Sequence, residues 1–416
     1  MGDLRSVADH REEVLGSVRV LPVQRCAVPD ASGATLRETV SAALNIPPFD
    51  NSAMDGFAVR FADVARASEQ GGVRLRVVAD LPAGSPSDPP IGELEAVRIM
   101  TGAPVPTAAD TIVPFEDTVD GLVDSLSHTV VLRAPREGAH VRRLGEDIRS
   151  GDRLLVSGTR LDALHIAALV AAGISTVEVS TRPRVAITST GSELVALGSP
   201  HGRGQIVDSN GPMLAAMVAH TGADLQQVSR VDDSGGTLQA VVQRLVESPD
   251  PPHVIVFTGG VSAGAYEVVR EQLASTMRFT KVAMQPGKPQ GFGVLPNGTL
   301  LFGLPGNPVS AAVSFEAFVR PAILALQGRR RVHRQRIPLP AATPWRSPAG
   351  REQYVPIAVD ADDEGGLAVR PATAGGSGSH LVGGLAAAVG FAVVPPEVES
   401  VAAGDRVDVM FLEGWL

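Results

Sequence analysis

The chain has 416 residues, a formal net charge of −9 and a single cysteine, Cys26. Several domains are expected, because one hydrophobic core does not extend over a chain of this length. The acidic balance excludes general nucleic-acid binding, which needs a basic surface, and one cysteine excludes an internal disulfide. Scarce cysteine indicates the cytoplasm, and apolar runs near 163–174 and 385–394 are too short to span a membrane.

The first part of the chain is predicted to be helical, over residues 6–18 and again over 36–44, until Pro47 and Pro48 break the pattern. Short β-rich runs then alternate with Pro/Gly clusters, which indicates a small β-rich domain over residues 45–140. A helix and a β run over 141–180 follow.

Residues 181–328 alternate between strand and helix patterns. That alternation is typical of a doubly wound, three-layer α/β/α domain. Residues 329–416 begin with an arginine-rich stretch, which we interpret as a solvated linker, and continue as a proline-studded β segment. We predict a small all-β domain there, with a hairpin tip over 360–366.

Three segments of the α/β domain share one plan, a buried strand that runs into a glycine-rich turn. They are centred on Thr190-Gly191, Thr258-Gly259-Gly260 and Pro305-Gly306-Asn307. Such turns gather at the carboxyl edge of a parallel sheet, where α/β proteins bind ligands. Helix N-termini at that edge favour anions. The pattern therefore predicts a phosphate-bearing or oxyanion substrate.

Carboxylates accumulate at the ends of these strands, as Glu193, Asp208, Asp232, Asp233 and Glu267. Each one is by itself consistent with a helix cap or a solvated acid. Together they are consistent with a Mg²⁺ site, because hard cations take oxygen ligands and often bridge to substrate phosphates. The residues alone leave both interpretations open.

Two further residues are each open to a functional and a structural interpretation. Lys288 lies on a rigid loop between prolines and is either a cation aimed at an anion or a solvated ammonium. Asp55 precedes Gly56 and is either a metal or proton ligand or part of a turn. A separate alternative is a serine hydrolase, since residues 260–264 match a nucleophile elbow around Ser262.

Read together, these segments resemble the molybdopterin molybdenumtransferase family, the MoeA and gephyrin E-domain type. The resemblance extends over most of the chain in a single order. The matching blocks are PPFDNSAMDGFAV (47–59), IMTGAPVP (99–106), GEDI (145–148), STGSEL (189–194), IVDSN (206–210), VDD (231–233), TGGVSAG (258–264), PGKP (286–289), LPGNPVSA (304–311) and GSHL (378–381).

This resemblance implies Mg²⁺-dependent insertion of molybdate into adenylylated molybdopterin, with release of AMP, by a cytoplasmic transferase. It implies a MogA-like α/β domain, a C-terminal β-barrel-like domain and an elongated helical and β linker domain that serves dimerisation. The linker domain would join residues 1–44 with residues 141–180. Active sites would be shared between the subunits of a homodimer. Expected partners are an upstream molybdopterin adenylyltransferase and recipient molybdoenzymes, with no nucleic acid and no membrane.

The resemblance also implies roles for residues at the matching positions. The catalytic set would be Asp55 and Thr101, both facing the partner's site, with Glu193, Asp232 and Lys288. Mg²⁺ or nucleotide phosphates would be held by Glu193, Asp232, Asp233 and Glu267. Substrate would contact Ser189, Thr190, Gly191, Asp208, Asn210, Gly259, Gly260, Val261, Ser262, Gly306 and Asn307. Molybdate would lie among Lys288, Ser310, Arg351 and Ser379.

The chain departs from the family pattern at four positions, Ser192, Glu267, Arg270 and Gln285. Gln285 stands where a lysine is usual, and losing one charged hydrogen bond to molybdate costs about 1.5–3 kcal/mol. We therefore hypothesise weaker or altered oxyanion selection. Alternatives are a paralogue that binds the pterin nucleotide without inserting molybdate, one that handles tungstate, and a dimeric scaffold.

Overall fold

The computed structural model describes residues 4–119, 121, 125–200, 202–232, 237–261, 268–361, 366–373, 378 and 380–412. Its architecture is multidomain α/β plus β, as predicted. The elements of the first 180 residues are α1 (Val7–Gly16), β1 (Val23–Ala27), β2 (Val40–Ser41), β3 (Asn51–Ser52), β4 (Gly56–Val59), α2 (Phe61–Val64), β5 (Val73–Leu81), β6 (Glu95–Ile99), β7 (Thr111–Pro114), β8 (His128–Val131), β9 (Val141–Arg142), β10 (Arg153–Leu155), α3 (Ala163–Ala171) and β11 (Thr176–Ser180).

The linker region forms where residues before position 44 pair with residues after position 141. Helix α1 begins after Ser6, whose hydroxyl accepts the Asp9 N–H. Strand β1 pairs with β11 and β2 pairs with β10, both antiparallel. The helix predicted over 36–44 is wrong. Leu36 and Val40 are buried in a core shared with Val179, and this packing overrides local helix propensity.

The β-rich domain is a five-stranded sheet in the order β7-β4-β6-β5-β8. Strand β4 is buried along its whole length. A Cβ on Gly56 would lie 2.1 Å from the carbonyl oxygen of Val113 on β7, so only glycine allows this approach. The close pairing fixes the start of β4 and, with it, the position of Asp55.

The α/β domain comprises β12 (Arg184–Thr190), β13 (Leu194–Val195), β14 (Ile206–Val207), α4 (Asn210–His220), β15 (Asp224–Val231), α5 (Thr237–Val246), β16 (Val254–Thr258), α6 (Val268–Leu273), β17 (Met277–Lys281), β18 (Met284–Gln285), β19 (Pro289–Val294), β20 (Leu300–Leu304), α7 (Pro308–Ser314) and α8 (Arg320–Leu326). The sheet order is β15-β12-β16-β20-β19-β17. Central β16 shows the three layers. Val256 packs towards α4 and α7, whereas Phe257 packs towards α5 and α6.

The segment Pro308–Leu326 is one continuous helical run, because a π-helical turn over Phe315–Val319 joins α7 to α8. By length and composition it could cross a membrane, a property the sequence analysis did not single out. However, 89% of its most apolar window is buried inside the protein. This burial identifies it as a core helix, on which the sheet and α1 pack.

The C-terminal domain comprises β21 (Arg336–Pro340), β22 (Trp345–Arg346), β23 (Glu352–Ala361), β24 (Leu367–Pro371), β25 (Gly390–Val394), β26 (Ser400–Val401) and β27 (Arg406–Phe411). Strands β23 and β24 pair antiparallel up to Ala361 and Leu367, on either side of the predicted hairpin tip, of which residues 362–365 lie outside the described residues. Strand β18 of the α/β domain pairs in parallel with β23, Met284 with Glu352 and Gln285 with Gln353. One loop of the α/β domain is therefore part of the C-terminal sheet.

His10 on α1 is a titratable side chain buried in this core. It is 2% exposed, and its ring meets Phe318 edge-on at a centroid distance of 4.7 Å. Burial, with a contribution from the nearby Arg5 cation, lowers the pKa of His10 from 6.5 to about 4. The folded state therefore resists a proton that the unfolded chain accepts.

Acid should destabilise the protein through His10. Its contribution is complete above pH 6.5 and is lost as pH falls towards about 4, which amounts to about 3 kcal/mol in the free energy of unfolding. Urea unfolding at a series of pH values checks this. The variant His10→Leu should show a shallower loss over that range. An identical pH slope in both proteins would contradict the assignment.

Candidate functional site

A cavity of about 970 Å³ lies at the carboxyl edge of the α/β sheet. The turns after β12, β16 and β20 all line it, as their shared plan predicted. The loop that precedes β19 and residues of the C-terminal domain complete the wall. The predicted site residues in the lining are Thr190, Gly191, Glu193, Asp208, Asn210, Gly259, Gly260, Val261, Lys288, Gly306, Asn307 and Ser310.

The diglycine turn after β16 packs closely against the turn after β12. Gly259 and Gly260 both have positive φ, +93° and +64°. A Cβ on Gly259 would lie 2.4 Å from the backbone oxygen of Thr190. Only glycine satisfies both the dihedral angle and this approach, so the backbone itself forms this part of the cavity wall.

The variant Gly259→Ala should damage both folding and binding. The added methyl group must displace the Thr190 backbone, and an alanine at this position must keep a left-handed φ. Together these effects lower the free energy of unfolding by about 1–3 kcal/mol. Thermal unfolding together with AMP titration measures the two effects. Gly204→Ala is a suitable control, since Gly204 has a positive φ of +87° but open space around it. Equal effects of the two substitutions would show that the close approach to Thr190 is unimportant.

Hydrogen bonds tie the turns after β16 and β20 to the start of α4. Thr258 donates its hydroxyl to the Pro305 carbonyl oxygen at 3.2 Å. Asn210 donates its amide nitrogen to the Thr258 hydroxyl at 2.9 Å and to the Gly306 carbonyl oxygen at 2.6 Å. The start of α4 is thereby bound to the ends of β16 and β20. Ser189 is fully buried and is not among the lining residues.

Two acids, Glu193 and Asp208, reach the cavity. Asp208 accepts the N–H of Gly211 at 3.0 Å and so caps α4. Ser209, at the N-cap position, contributes no side-chain cap. The second oxygen of Asp208 and the carboxylate of Glu193 remain oxygen ligands of the kind that Mg²⁺ prefers.

The other predicted metal ligands do not complete a cluster in the described part of the chain. Asp232 follows β15 and is not among the described lining residues. Asp233 and Glu267 lie outside the described residues. Within the described ranges, no three His, Cys, Asp or Glu residues are grouped as a metal site. The four-ligand Mg²⁺ site therefore stays a prediction.

Lysine is concentrated at this site. The sequence has 36 lysines and arginines, of which only Lys281 and Lys288 are lysine. Lys288 lines the main cavity and a second one of about 250 Å³, to which Lys281 and Arg270 also contribute. An ammonium is a compact charge that arginine does not replace. The sequence analysis missed Lys281, although the lysine count would have identified it.

The C-terminal domain supplies His380 and Val382 to the cavity, neither of which was assigned a role from the sequence. Arg351 was predicted to line the molybdate pocket. Arg351 is not among the described lining residues, and its guanidinium donates to the side-chain oxygen of Gln285, which does line the cavity, at 3.1 Å. Its role at molybdate stays a prediction. Ser262 and Ser379 lie outside the described residues, so their predicted roles are not tested.

Asp55 and Thr101 form a preorganised pair elsewhere in the chain, outside the described lining of the cavity. Thr101 donates its backbone N–H and its hydroxyl to the same Asp55 oxygen, at 2.6 and 2.7 Å. These bonds lower the pKa of Asp55 below its usual range, the backbone bond most. Both residues are exposed. The pair therefore holds the Asp55 carboxylate in one orientation at the surface of the protein.

Comparison with known proteins covers nearly the whole chain. Residues 5–173 match the MoeA N-terminal region (domain I and II), 186–325 a probable molybdopterin binding domain, and 338–412 the MoeA C-terminal region (domain IV). The chain is 39% identical to molybdopterin molybdenumtransferase 2 of Mycobacterium tuberculosis, over 98% of this chain and 99% of that protein. A molybdopterin molybdenumtransferase of Nostoc sp. is also 39% identical, over 72% of this chain and 68% of its own. A crystal structure of the molybdopterin biosynthesis MoeA protein from Pyrococcus horikosii has 30% identity and a TM-score of 0.77, covering 99% of this chain and all of that one.

Proposed function

Because the chain belongs to the molybdopterin molybdenumtransferase family, whose members are transferases of molybdenum cofactor biosynthesis, we propose that it inserts molybdate into adenylylated molybdopterin, uses Mg²⁺ and releases AMP. The observation that carries this proposal is the cavity at the carboxyl edge. It combines a diglycine backbone cradle, a fixed lysine and two acids. Such a site suits an anionic substrate with a divalent cation.

The proposed binding contacts come from this chain's own residues. The Gly259 N–H already donates to the Leu304 carbonyl at 3.0 Å, so the Gly260 N–H and the N-terminus of α4 are the backbone groups that favour the phosphates of the nucleotide. Lys288, on a loop fixed by Pro286 and Pro289, adds a point charge for an oxyanion. A volume of about 970 Å³ admits a substrate larger than a single anion.

Glu193 and Asp208 fit a Mg²⁺ ion, because both present carboxylate oxygens to the cavity. Bound there, Mg²⁺ would neutralise charge on the substrate phosphates. Asp208 keeps one oxygen on the α4 backbone, so its orientation is fixed before any ligand arrives. Asp232, Asp233 and Glu267 are proposed to complete this set.

We extend the proposal to a cytoplasmic homodimer whose active sites are shared. Asp55 and Thr101 are held ready and exposed, outside the described lining of their own chain's cavity. A site that takes them from the partner subunit would explain this arrangement. The substrate would come from an adenylyltransferase, and the product would pass to recipient molybdoenzymes.

The test is reconstitution from purified components. The protein is supplied with adenylylated molybdopterin, Mg²⁺ and low molybdate, and both AMP release and activation of an apo-molybdoenzyme are measured. The proposal predicts both, and it predicts no AMP without Mg²⁺. AMP release without activation would identify a paralogue that inserts no molybdate. Activation with tungstate alone would change the metal assignment, and the absence of both reactions would favour a scaffold.

A further inference from the structure

The main cavity contains one titratable side chain that the proposed function leaves unused. His380 lines the cavity, and within the described ranges it is the only one of the nine histidines that does so. The residue is exposed to solvent. The family resemblance gave a role to Ser379 and none to His380, although both belong to the GSHL block. The imidazole is therefore a group in the cavity without an assigned task.

The C-terminal domain sets the position of His380. The N–H of Val382 donates to the His380 carbonyl at 2.9 Å, which closes a tight turn. A short 3-10 helix over Val382–Ala387 follows, and it packs against α7 and β23. Helix α7 carries Ser310, another residue of the cavity lining. This packing holds the turn with His380 at the wall of the cavity.

The other titratable groups of the described lining already have proposed tasks. Glu193 and Asp208 are the proposed Mg²⁺ ligands, and Lys288 is the proposed charge for an oxyanion. Histidine is also the side chain whose ordinary pKa is closest to neutral pH, which is the property that proton transfer requires. His380 is therefore the described group best suited to accept a proton inside the cavity.

The elements packed against the turn bring no further charge to the described lining. Helix α7 has no titratable side chain. Strand β23 carries Glu352, Tyr354 and Asp360, and none of them is among the described lining residues. Tyr354 donates its hydroxyl to Glu352, and Asp360 pairs with Arg370 at 2.9 Å. The described charges that share the cavity with His380 are thus the two acids and the lysine.

Release of AMP from an adenylylated substrate requires a proton acceptor. A water oxygen forms a bond to the AMP phosphorus, and the bond from that phosphorus to an oxygen of molybdopterin breaks. The bonding electron pair leaves with the molybdopterin oxygen, and no atom is oxidised or reduced. The attacking water loses a proton, which a neutral imidazole accepts. Because His380 is exposed, it can then pass this proton to solvent.

We propose that His380 is a catalytic residue, the general base that takes a proton from the water attacking the AMP phosphorus. This inference rests on the proposed function and adds a residue to its chemistry. It concerns the release of AMP and not the binding of molybdate. Variants of His380 should therefore lose rate while they keep their affinity for AMP.

The test is single-turnover AMP release by the full-length protein and its variants, with adenylylated molybdopterin and Mg²⁺, over a series of pH values. His380→Gln should lower the rate by about a hundredfold or more. The wild-type rate should fall on the acid side of the profile, because a protonated imidazole accepts no proton. This acid limb should be absent in His380→Gln. Calorimetric titration should show that AMP affinity is preserved.

Further variants separate proton transfer from charge and shape. His380→Gly should regain AMP release when imidazole is added to the solution, because the free base can occupy the vacated space. His380→Lys keeps a cation but provides no base near neutral pH, so it should be as slow as His380→Gln. The matched control is His220→Gln. His220 is exposed at the last residue of α4 and is not among the described lining residues, so its rate should be unchanged.

An unchanged rate and pH profile in His380→Gln would overturn the inference. Full activity in His380→Lys would also overturn it, because a binding cation would then be sufficient. A folded His380→Gly that imidazole does not rescue would count against it in the same way. Thermal unfolding identifies a variant that has lost its fold, and the remaining His380 variants then decide.

Wild type measured in parallel separates this inference from the proposed function. If wild type releases AMP and the His380 variants match it, only the general-base assignment fails. If wild type releases no AMP, the proposed function itself fails, and the assignment fails with it.

Discussion

Replacing Lys288 by methionine is expected to lower AMP release by a hundredfold or more, since one buried charge contact to a transition-state oxyanion is worth about 3 kcal/mol. Methionine has a similar length and lacks the charge. Lys288 is partly exposed. Its backbone carbonyl accepts the Val282 N–H, and a side-chain substitution preserves that hydrogen bond. The fold should therefore survive, and thermal unfolding together with AMP release measures both.

Lys288→Arg is the informative companion. It keeps the charge but replaces a compact ammonium with a planar fork, so an intermediate rate is expected. Amine labelling gives a second readout, because Lys281, Lys288 and the N-terminus are the only amines in the sequence. AMP with molybdate should protect Lys288 from pyridoxal phosphate and borohydride. Full turnover in Lys288→Met, or no protection, would remove Lys288 from the site.

The second large effect concerns Asp55. Asp55→Asn should be nearly inactive, yet mixing it with inactive Lys288→Met should restore activity. If the active site takes Asp55 from one subunit and Lys288 from the other, a mixed dimer contains one intact site. Random reassociation then gives about a quarter of wild-type activity. The assay is AMP release after the two variants are dissociated and mixed.

The matched control mixes Asp55→Asn with Thr101→Ala. Thr101 supplies both recorded hydrogen bonds to the Asp55 carboxylate, so both changes affect the same face of one subunit. In their mixed dimer each site has one defective pair, and no restoration is expected. Restoration in neither mixture, with dimers present by light scattering, would show that the Asp55 pair does not act across subunits.

The sequence predicted which sheet edge carries the site, but it did not predict the contacts between residues that are distant in the chain. The first four residues of central strand β16 are all apolar, and both faces of the strand are buried, so its pattern indicated a sheet with loops at one edge. The predicted helix over 36–44 was wrong because Leu36 is held by a distant partner, Val179. Local propensity carries no information about such pairing.

The contact between Gln285 and Arg351 could not be predicted for the same reason. It depends on the register between two short stretches 66 positions apart, which belong to different domains. The presence of His380 in the cavity likewise depends on how the C-terminal domain packs. Motif resemblance placed Arg351 near an oxyanion, but only the packing shows that Arg351 donates to Gln285, which lines the cavity.

Because β18 pairs with β23, removing the C-terminal domain would also remove a strand that supports a loop of the α/β domain. A shortened protein that ends after α8 would keep the diglycine turn and Lys288 in its sequence. The segment carrying Gln285 and Lys288, however, would lose its neighbouring strand and sample many conformations. Under the proposed function, we expect such a fragment to retain nucleotide affinity while losing metal-insertion activity, so the smallest active form of the protein would include the C-terminal domain as well as the α/β sheet.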